Sequence, residues 1–520
     1  MSESLFWADQ EARRVIAHSG DKKEYVCASG ITPSGTVHIG NFREIITVDL
    51  VVKALENIGK KVRFIYSWDD FDRLRKIPAN FTKQEQKNLK EHLYEPVGEI
   101  PDPTGTHKTY ARLIQKPLEE DVKELGIKPE FLYQHELFRK CVYAEKIRTA
   151  LQKRERIRQI VNQYRKKPRQ ENWYPLELYC EKCNKGTTTI THYNEEYSIS
   201  YKCDCGYENT IDFRKKGILK PLWRVDWPMR WAHYHEDFEP AGIDHFSAGS
   251  SRTTGIEIVN KIFDYKEPYG FSYDIITLKG QQKKMSKSKG NIISIRDAYN
   301  IYLPEIVRHM FAGTKPNRPF SISFDDDLLK IYDNFYKTER IAFGKEQVSK
   351  RDSAHWKSVY NYCYGQRMKK PTTLPVQPSF RQLSDTYQTF DDEKRTVQEL
   401  NGKTSFDNHR LKQEVKRVKH WLENHAPKEY VYEITNKKPK LNKTEKDALK
   451  KFAELIISNK TEDEVKKTCK TIFDNYEIKP KKFFETFYLT LFGKQKGPRL
   501  AQYILAHDVK KISEIIKKLV

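Results

Sequence analysis

"ASGITPSGTVHIGNFREIIT", from Ala28 to Thr47, is the stretch from which the rest of the chain is read. A short β-prone run, "EYVCASG" (Glu24 to Gly30), leads into it. Gly30, Gly35 and Gly40 then crowd around Pro33, the hydroxyls of Thr32, Ser34 and Thr36, and His38. An apolar segment follows and predicts a helix over residues 38–57. Phe42, Ile45, Ile46, Val48, Leu50, Val51, Val52 and Leu55 surround that helix rather than stripe it, so it should be buried. "KVRFIYSW" (Lys61 to Trp68) reads as a buried strand. Strand, glycine turn, helix and strand make a βαβ unit, which builds a parallel sheet. Ligands of open α/β sheets sit at the carboxyl ends of the strands. The turn at Gly30 and the acidic "DDFD" (Asp69 to Asp72) both lie there.

A glycine turn that opens a helix presents backbone N–H groups at the positive end of the helix dipole, which suits phosphate. Thr32 and Ser34 add donors, and His38 adds another from the first helical turn. Pro33 and Gly35 fix the path of the loop, while Gly40 lets a ligand approach the backbone. A Gly/Pro/Ser turn before a helix is also ordinary turn chemistry. A second segment therefore matters. "QKKMSKSKGN" (Gln282 to Asn291) follows a predicted strand and concentrates Lys283, Lys284, Lys287 and Lys289 with Ser286 and Ser288. By itself it reads equally as a solvated basic loop.

The chain has 520 residues and a formal net charge of +23, from 94 Lys and Arg against 71 Asp and Glu. That length suggests several domains. The charge points to a polyanionic partner, nucleic acid first, or else to a generally basic surface. No run of about twenty apolar residues occurs, so no membrane span is expected. The opening residues lack the order of a signal peptide, and the cytoplasm is the expected compartment. Cys180, Cys183, Cys203 and Cys205 stand in CxxC and CxC pairs, as for a closed tetrahedral zinc site in a reducing compartment. On sequence the segment around them lacks an apolar core of its own, so metal would supply its folding energy. "PLWRVDWPMRW" (Pro221 to Trp231) and "FSYDIITL" (Phe271 to Leu278) read as resumed strands, and Lys140 to Lys167 as one basic helix. Beyond about Asp325 helical patterns dominate.

"HIGN" after a glycine turn and "KMSKS" after a later strand resemble the two signatures of class I aminoacyl-tRNA synthetases. Asn41 stands where that class usually has His. "SWDDFDRLRKIP" (Ser67 to Pro78), "PLWRVDWPMRWAHYHEDFEPAGIDHFSAGSSRTTG" (Pro221 to Gly255) and "TLFGKQKGPRLAQYILAHD" (Thr490 to Asp508) are similar to class I lysyl-tRNA synthetases of the archaeal type.

The resemblance implies an α/β Rossmann catalytic domain over residues 1–292, with connective insertions at about 75–115 and 170–220, the latter a zinc ribbon. It implies a stem-contact region over 293–340 and an all-helical anticodon-binding cage over 341–520. The activity implied is ATP-dependent ligation of L-lysine to tRNA(Lys) through lysyl-adenylate, with Mg2+ accompanying ATP, and activation that depends on bound tRNA. His38, Asn41, Lys284 and Lys287 would be catalytic. Thr32, Pro33, Ser34, Gly35, Gly40, Asp244 and Ser286 would join His38, Asn41 and Lys287 around ATP. Gly30, Thr32, Asp70, Trp223, His245 and Tyr273 would surround lysine, and which indole of the Trp-rich segment faces the pocket stays open. Cys180, Cys183, Cys203 and Cys205 would hold zinc, although relatives can offer His where Tyr207 stands.

In "DPTGTHKTYARL", Asp102 and His107 keep half of a second family metal site. Thr106 and Leu113 replace the other ligands, so no metal is expected there. The alternatives are another class I synthetase of the glutamyl group and a catalytically silent tRNA-binding paralogue. A related nucleotidyltransferase fits poorly with the long helical carboxyl-terminal half.

Overall fold

A computed structural model of the protein describes residues 6–279, 293–366 and 368–520. The chain divides into two compact units. The first comprises residues 1–298, 307–322 and 347–370, and the second residues 299–306, 323–346 and 371–520.

The first unit opens with helix α1 (Trp7–Ser19), then β1 (Glu24–Ile31), α2 (Ile39–Asn57) and β2 (Lys61–Trp68). β3 (Glu130–Tyr133) pairs parallel to β2, and β2 pairs parallel to β1 with Gly30 opposite Ser67. The expected βαβ unit is present, and α2 is buried on nearly every side from Ile39 to Leu55. On the other edge of β1, Cys27 bridges Phe238 in parallel sense and Phe238 bridges Tyr269. Further along the same edge, Ala241 and Gly242 pair with Ser272 and Tyr273. Across the sheet the chain thus runs Tyr269–Tyr273, Phe238–Gly242, β1, β2, β3. It leaves β1 toward one edge and returns on the other, and that reversal opens a crevice beyond the strand ends.

Gly30 is required where β1 and β2 lie closest, since a Cβ there would stand 2.6 Å from the Ser67 carbonyl oxygen. Arg43, buried in the first turns of α2, ties distant loops to the turn. It donates to the carbonyls of Asp274 (2.8 Å), Lys315 (3.2 Å), Pro316 (2.7 Å) and Arg318 (2.8 Å).

Three expectations change here. Pro221–Trp231 is mostly not strand: only Leu219–Pro221 is extended, and Trp223–Tyr234 is helical. Trp223, Trp227 and Trp231 recur every four residues, so their rings line one helix face with centroids 5.0 and 4.9 Å apart, the first pair stacked and the second tilted. The basic helix is two helices, Ala144–Gln152 and Arg154–Asn162, divided at Lys153. The cysteine segment is an antiparallel ribbon of Thr188–Tyr193, Ser198–Cys203 and Glu208–Asp212. It does bury apolar side chains: Tyr193, Ile199, Tyr201, Ile211 and Phe213 join one cluster with Tyr143, Ile147 and Ile157.

The second unit is helical, apart from short connections. Asp327–Ala342, Phe380–Phe390 and Ser405–Asn424 surround buried Arg410, which pairs with Glu339 (2.8 Å) and Glu414 (3.2 Å). Lys443–Leu455, Glu462–Asn475, Pro480–Phe492 and Val509–Leu519 close around Phe452, Phe483 and Phe487. Thr404, Asn442 and Thr461 head their helices with reciprocal capping boxes. Residues 347–370, which on sequence open the carboxyl-terminal domain, group instead with the first unit. Among the described residues no helix is long and apolar enough to cross a membrane.

Candidate active site

A cleft of about 920 Å³ occupies the crevice beside β1. Its upper wall is the turn from Thr32 to Asn41. Thr32 Oγ1 donates to Asp72 Oδ2 (2.8 Å), and the Ser34 N–H donates to the Thr32 carbonyl (2.8 Å). His38 caps α2, its Nδ1 accepting from the Asn41 N–H at 3.3 Å. That bond places the imidazole proton on Nε2, the nitrogen suited to donate to an anion. The Ile39 N–H donates to the Ile293 carbonyl at 2.8 Å. Asn41 Oδ1 is buried and has no hydrogen-bond partner among the described residues.

Thr32, Ser34, His38, Gly40, Asn41 and Asp244 line the cleft, as do Gly30, Trp223, His245 and Tyr273. Pro33 and Gly35 are buried and do not line it; they shape the turn from behind. Lys284, Ser286 and Lys287 lie outside the described residues. Asp70 does not belong to the pocket. Its side chain is fully buried, accepting from the His135 N–H (2.8 Å), His135 Nδ1 (2.8 Å) and Gln115 Nε2 (2.9 Å). Its neighbour Asp69 faces the cleft instead. Of the indoles, Trp223 stands at the mouth and Trp227 behind it, while Trp231 is buried in the core.

The floor holds groups that sequence reasoning missed: Glu44, Glu236, Glu239, Arg230 and Lys220. Glu44 accepts from the Gly30 N–H (3.3 Å), and burial, reinforced by nearby Glu239 and Asp69, pushes its carboxyl up to about 8. Burial and the charge of Glu239 push Glu236 well above the carboxylate range. Burial also raises Glu239, against the indole N–H groups of Trp231 and Trp227 that donate to it. Arg230 is already taken, donating to Ser67 Oγ and Asp69 Oδ1 (both 2.6 Å) and lying 3.3 Å from Asp226. Lys220 is paired with Asp72. With Arg230 and Lys220 paired, the groups of the floor left to meet a ligand are carboxyls, whose ionised form an entering cation would favour. One signal was available: Glu44 is a carboxylate in a largely apolar helix.

Away from the cleft, the sulfurs of Cys180, Cys183, Cys203 and Cys205 all lie within 4.8 Å of one another. Cys180–Cys205 is 3.7 Å and Cys183–Cys203 is 3.6 Å. A thiolate tetrahedron with metal–sulfur bonds of about 2.3 Å has edges of about 3.8 Å. The four residues thus fit one tetrahedral ion, and it is Cys205 rather than Tyr207 that completes the set. Around Asp102, by contrast, the second carboxyl oxygen accepts from the His107 N–H (2.7 Å) and Thr106 Oγ1 (3.1 Å).

A parallel sheet whose strand order reverses at a glycine-rich turn, in a chain with a helical carboxyl-terminal unit, has the architecture of class I aminoacyl-tRNA synthetases. The chain belongs to the family described as tRNA synthetases class I (K), whose model matches residues 5–365. It is 39% identical to the lysine–tRNA ligase of Borreliella burgdorferi over 526 residues, covering 100% of both chains. It is 39% identical to that of Thermococcus kodakarensis over 517 residues, 96% of this chain and 97% of that one. A solved glutamate tRNA ligase from Elizabethkingia meningosepticum is a looser match, with TM-score 0.46 and 14% identity over 96% of this chain and 100% of that one.

Proposed function

We infer that the protein is a lysine–tRNA ligase, joining L-lysine to tRNA(Lys) through lysyl-adenylate with release of AMP and diphosphate. The observation that carries the amino acid choice is the acidic floor beneath the phosphate turn. The lysine carboxylate attacks the α-phosphorus of ATP, and diphosphate leaves. No protein nucleophile is needed; positioning and stabilisation of phosphate charge supply the rate. His38, Asn41 and the N–H groups at the start of α2 are read as donors to the phosphates, with Lys284 and Lys287 neutralising the departing diphosphate. Asp244, exposed at the rim, is read as the ribose contact. Mg2+ accompanying ATP would supply charge screening of its phosphates. The terminal adenosine hydroxyl of tRNA then attacks the lysyl carbonyl and displaces AMP.

For lysine itself, Gly30, Thr32, Trp223, His245 and Tyr273 are read as the walls of the pocket, and Glu44 as the counter-ion of the ε-ammonium. A glutamate side chain would meet Glu44, Glu236 and Glu239 beside Arg230 and Lys220, which are already paired with Asp69 and Asp72, and this disfavours a glutamyl-type reading. The four thiolates are read as a structural zinc site holding the ribbon. Residues 293–340 are read as the stem contact and the helical stretch 371–520 of the second unit as the anticodon-binding cage. The cytoplasm is the setting for this activity. Charging of total tRNA with each amino acid in turn tests the reading. Lysine alone should be esterified; charging with glutamate would overturn it, and tRNA binding without charging would favour a silent paralogue.

A further inference from the structure

On the rim of the cleft beyond Asp244 and His245, the chain passes through Gly249 and Ser250 into the helix Ser251–Ile262. A second loop, after the helix Arg154–Asn162, is packed against this rim. A Cβ on Gly249 would lie 2.9 Å from the Cβ of Tyr164, and the Tyr164 hydroxyl donates to Glu257 (2.7 Å). Arg224, next to Trp223 at the cleft mouth, donates to the carbonyls of Gly249 (2.8 Å) and Ser250 (3.1 Å). The loop is closed at its base: the Arg169 N–H donates to Asn162 Oδ1 (2.7 Å), and the Arg169 carbonyl accepts from Arg158 (3.0 Å).

This closed loop is unusually cationic. Arg165, Lys166 and Lys167 are exposed at its tip. Arg154 and Arg158 in the helix before it are neutralised by Glu195 and Glu155. Among the described residues, Arg165, Lys166, Lys167 and Arg169 enter no ion pair. Burial lowers both Arg224 and Arg169, and in each case the charge of Arg165 lowers it further. Arg165 thus sits near two like charges, an arrangement that a polyanion would relieve.

We propose that Arg165, Lys166 and Lys167, with Arg169 and Arg224 behind them, form the docking surface for the sugar–phosphate backbone at the acceptor end of the tRNA. This rests on the ligase reading, because only that reaction obliges an RNA 3′ end to enter the cleft. Phosphate contacts of this kind position the strand without reading its bases. The surface therefore fixes where the terminal adenosine enters, on the side of the cleft bearing Asp244 and His245.

The test uses the full chain with Arg165→Ala/Lys166→Ala/Lys167→Ala, and Arg165→Gln/Lys167→Gln as a milder second variant. KM for tRNA should rise about ten-fold, and the slope of log Kd against log salt should fall by about three in the triple variant and about two in the double, since each lost phosphate contact removes close to one. KM for lysine and kcat at saturating tRNA should stay within about two-fold of wild type. Phosphate protection on tRNA should be lost at the acceptor end. An unchanged tRNA KM and salt slope would overturn the proposal, as would protection lost at the anticodon arm alone. A wild-type protein that charges no tRNA with lysine would instead overturn the ligase reading.

Discussion

The backbone N–H of Ile39 donates to the carbonyl of Ile293 at 2.8 Å, and His38 pairs with Ser294 beside it. Ile293 comes directly after the lysine-rich segment in the chain, so the phosphate turn and the exit of the second signature share one edge. If His38 donates to phosphate from that turn, His38→Ala should lower kcat for lysine activation by about 10²–10³. KM for lysine should change little. Loss of the cap costs about 1 kcal/mol of stability, which urea unfolding would measure separately. An equal loss in KM and kcat from misfolding would count against the role.

Glu44 makes a pH prediction. Its carboxyl is held up to about 8 by burial, so it is protonated at pH 7 in the empty cleft. An ammonium entering beside it favours the charged form. KM for lysine should therefore fall about ten-fold per pH unit between about 6 and 8, then level off. In Glu44→Gln the profile should flatten and KM rise at pH 8. A wild-type profile that is flat across this range would remove Glu44 from the pocket.

Gly30→Ala would drive a methyl group into the Ser67 backbone. The strands must part to accept it, at about 1–3 kcal/mol. Lysine-dependent pyrophosphate exchange should drop more steeply than thermal stability, because the displaced strand ends form the cleft.

Asp70→Asn should behave in the opposite way. It strips a buried carboxylate from His135 and Gln115, costing about 2–3 kcal/mol, while leaving KM for lysine unchanged. Burial lowers His135, but the hydrogen bond and charge of Asp70 outweigh it and leave the imidazole above its ordinary value. That pairing stabilises the fold below the ordinary histidine range and fades as pH rises through the raised value. Urea midpoints at pH 5.5 and 8 should show this dependence in wild type and lose it in the variant.

For the ribbon, metal analysis should find one zinc per chain, absent from Cys183→Ser. The apolar cluster shared with Tyr143 and Ile157 should keep the ribbon partly ordered, so thermal stability should fall without complete unfolding.

Much of this arrangement was legible in the residues. The βαβ unit declared itself because α2 is apolar around most of its circumference and β2 is rich in aromatic and β-branched residues, and the cysteines because their spacing has few other uses. The Trp-rich segment misled because aromatic density suits strands, while its four-residue recurrence belongs to a helix. Asp69 and Asp70 look alike in sequence, yet adjacent side chains leave the backbone in different directions, and only one meets the cleft. Glu236 and Glu239 reach the floor on a strand that joins β1 from the far side of the reversal. No local pattern announces such an arrival.

Arg43 carries a consequence for how the enzyme is made. Its guanidinium, deep under the turn, is satisfied by carbonyls that the ribosome adds only at Asp274 and between Lys315 and Arg318. Lys53, further along α2, waits longer still, for the carbonyls of Asn361 and Tyr364. A nascent chain halted at Ala298 would possess His38 and Glu44 but lack the carbonyls of Lys315, Pro316 and Arg318 that Arg43 uses and those of Asn361 and Tyr364 that Lys53 uses. The interior behind the cleft is therefore completed only once translation has passed Tyr364.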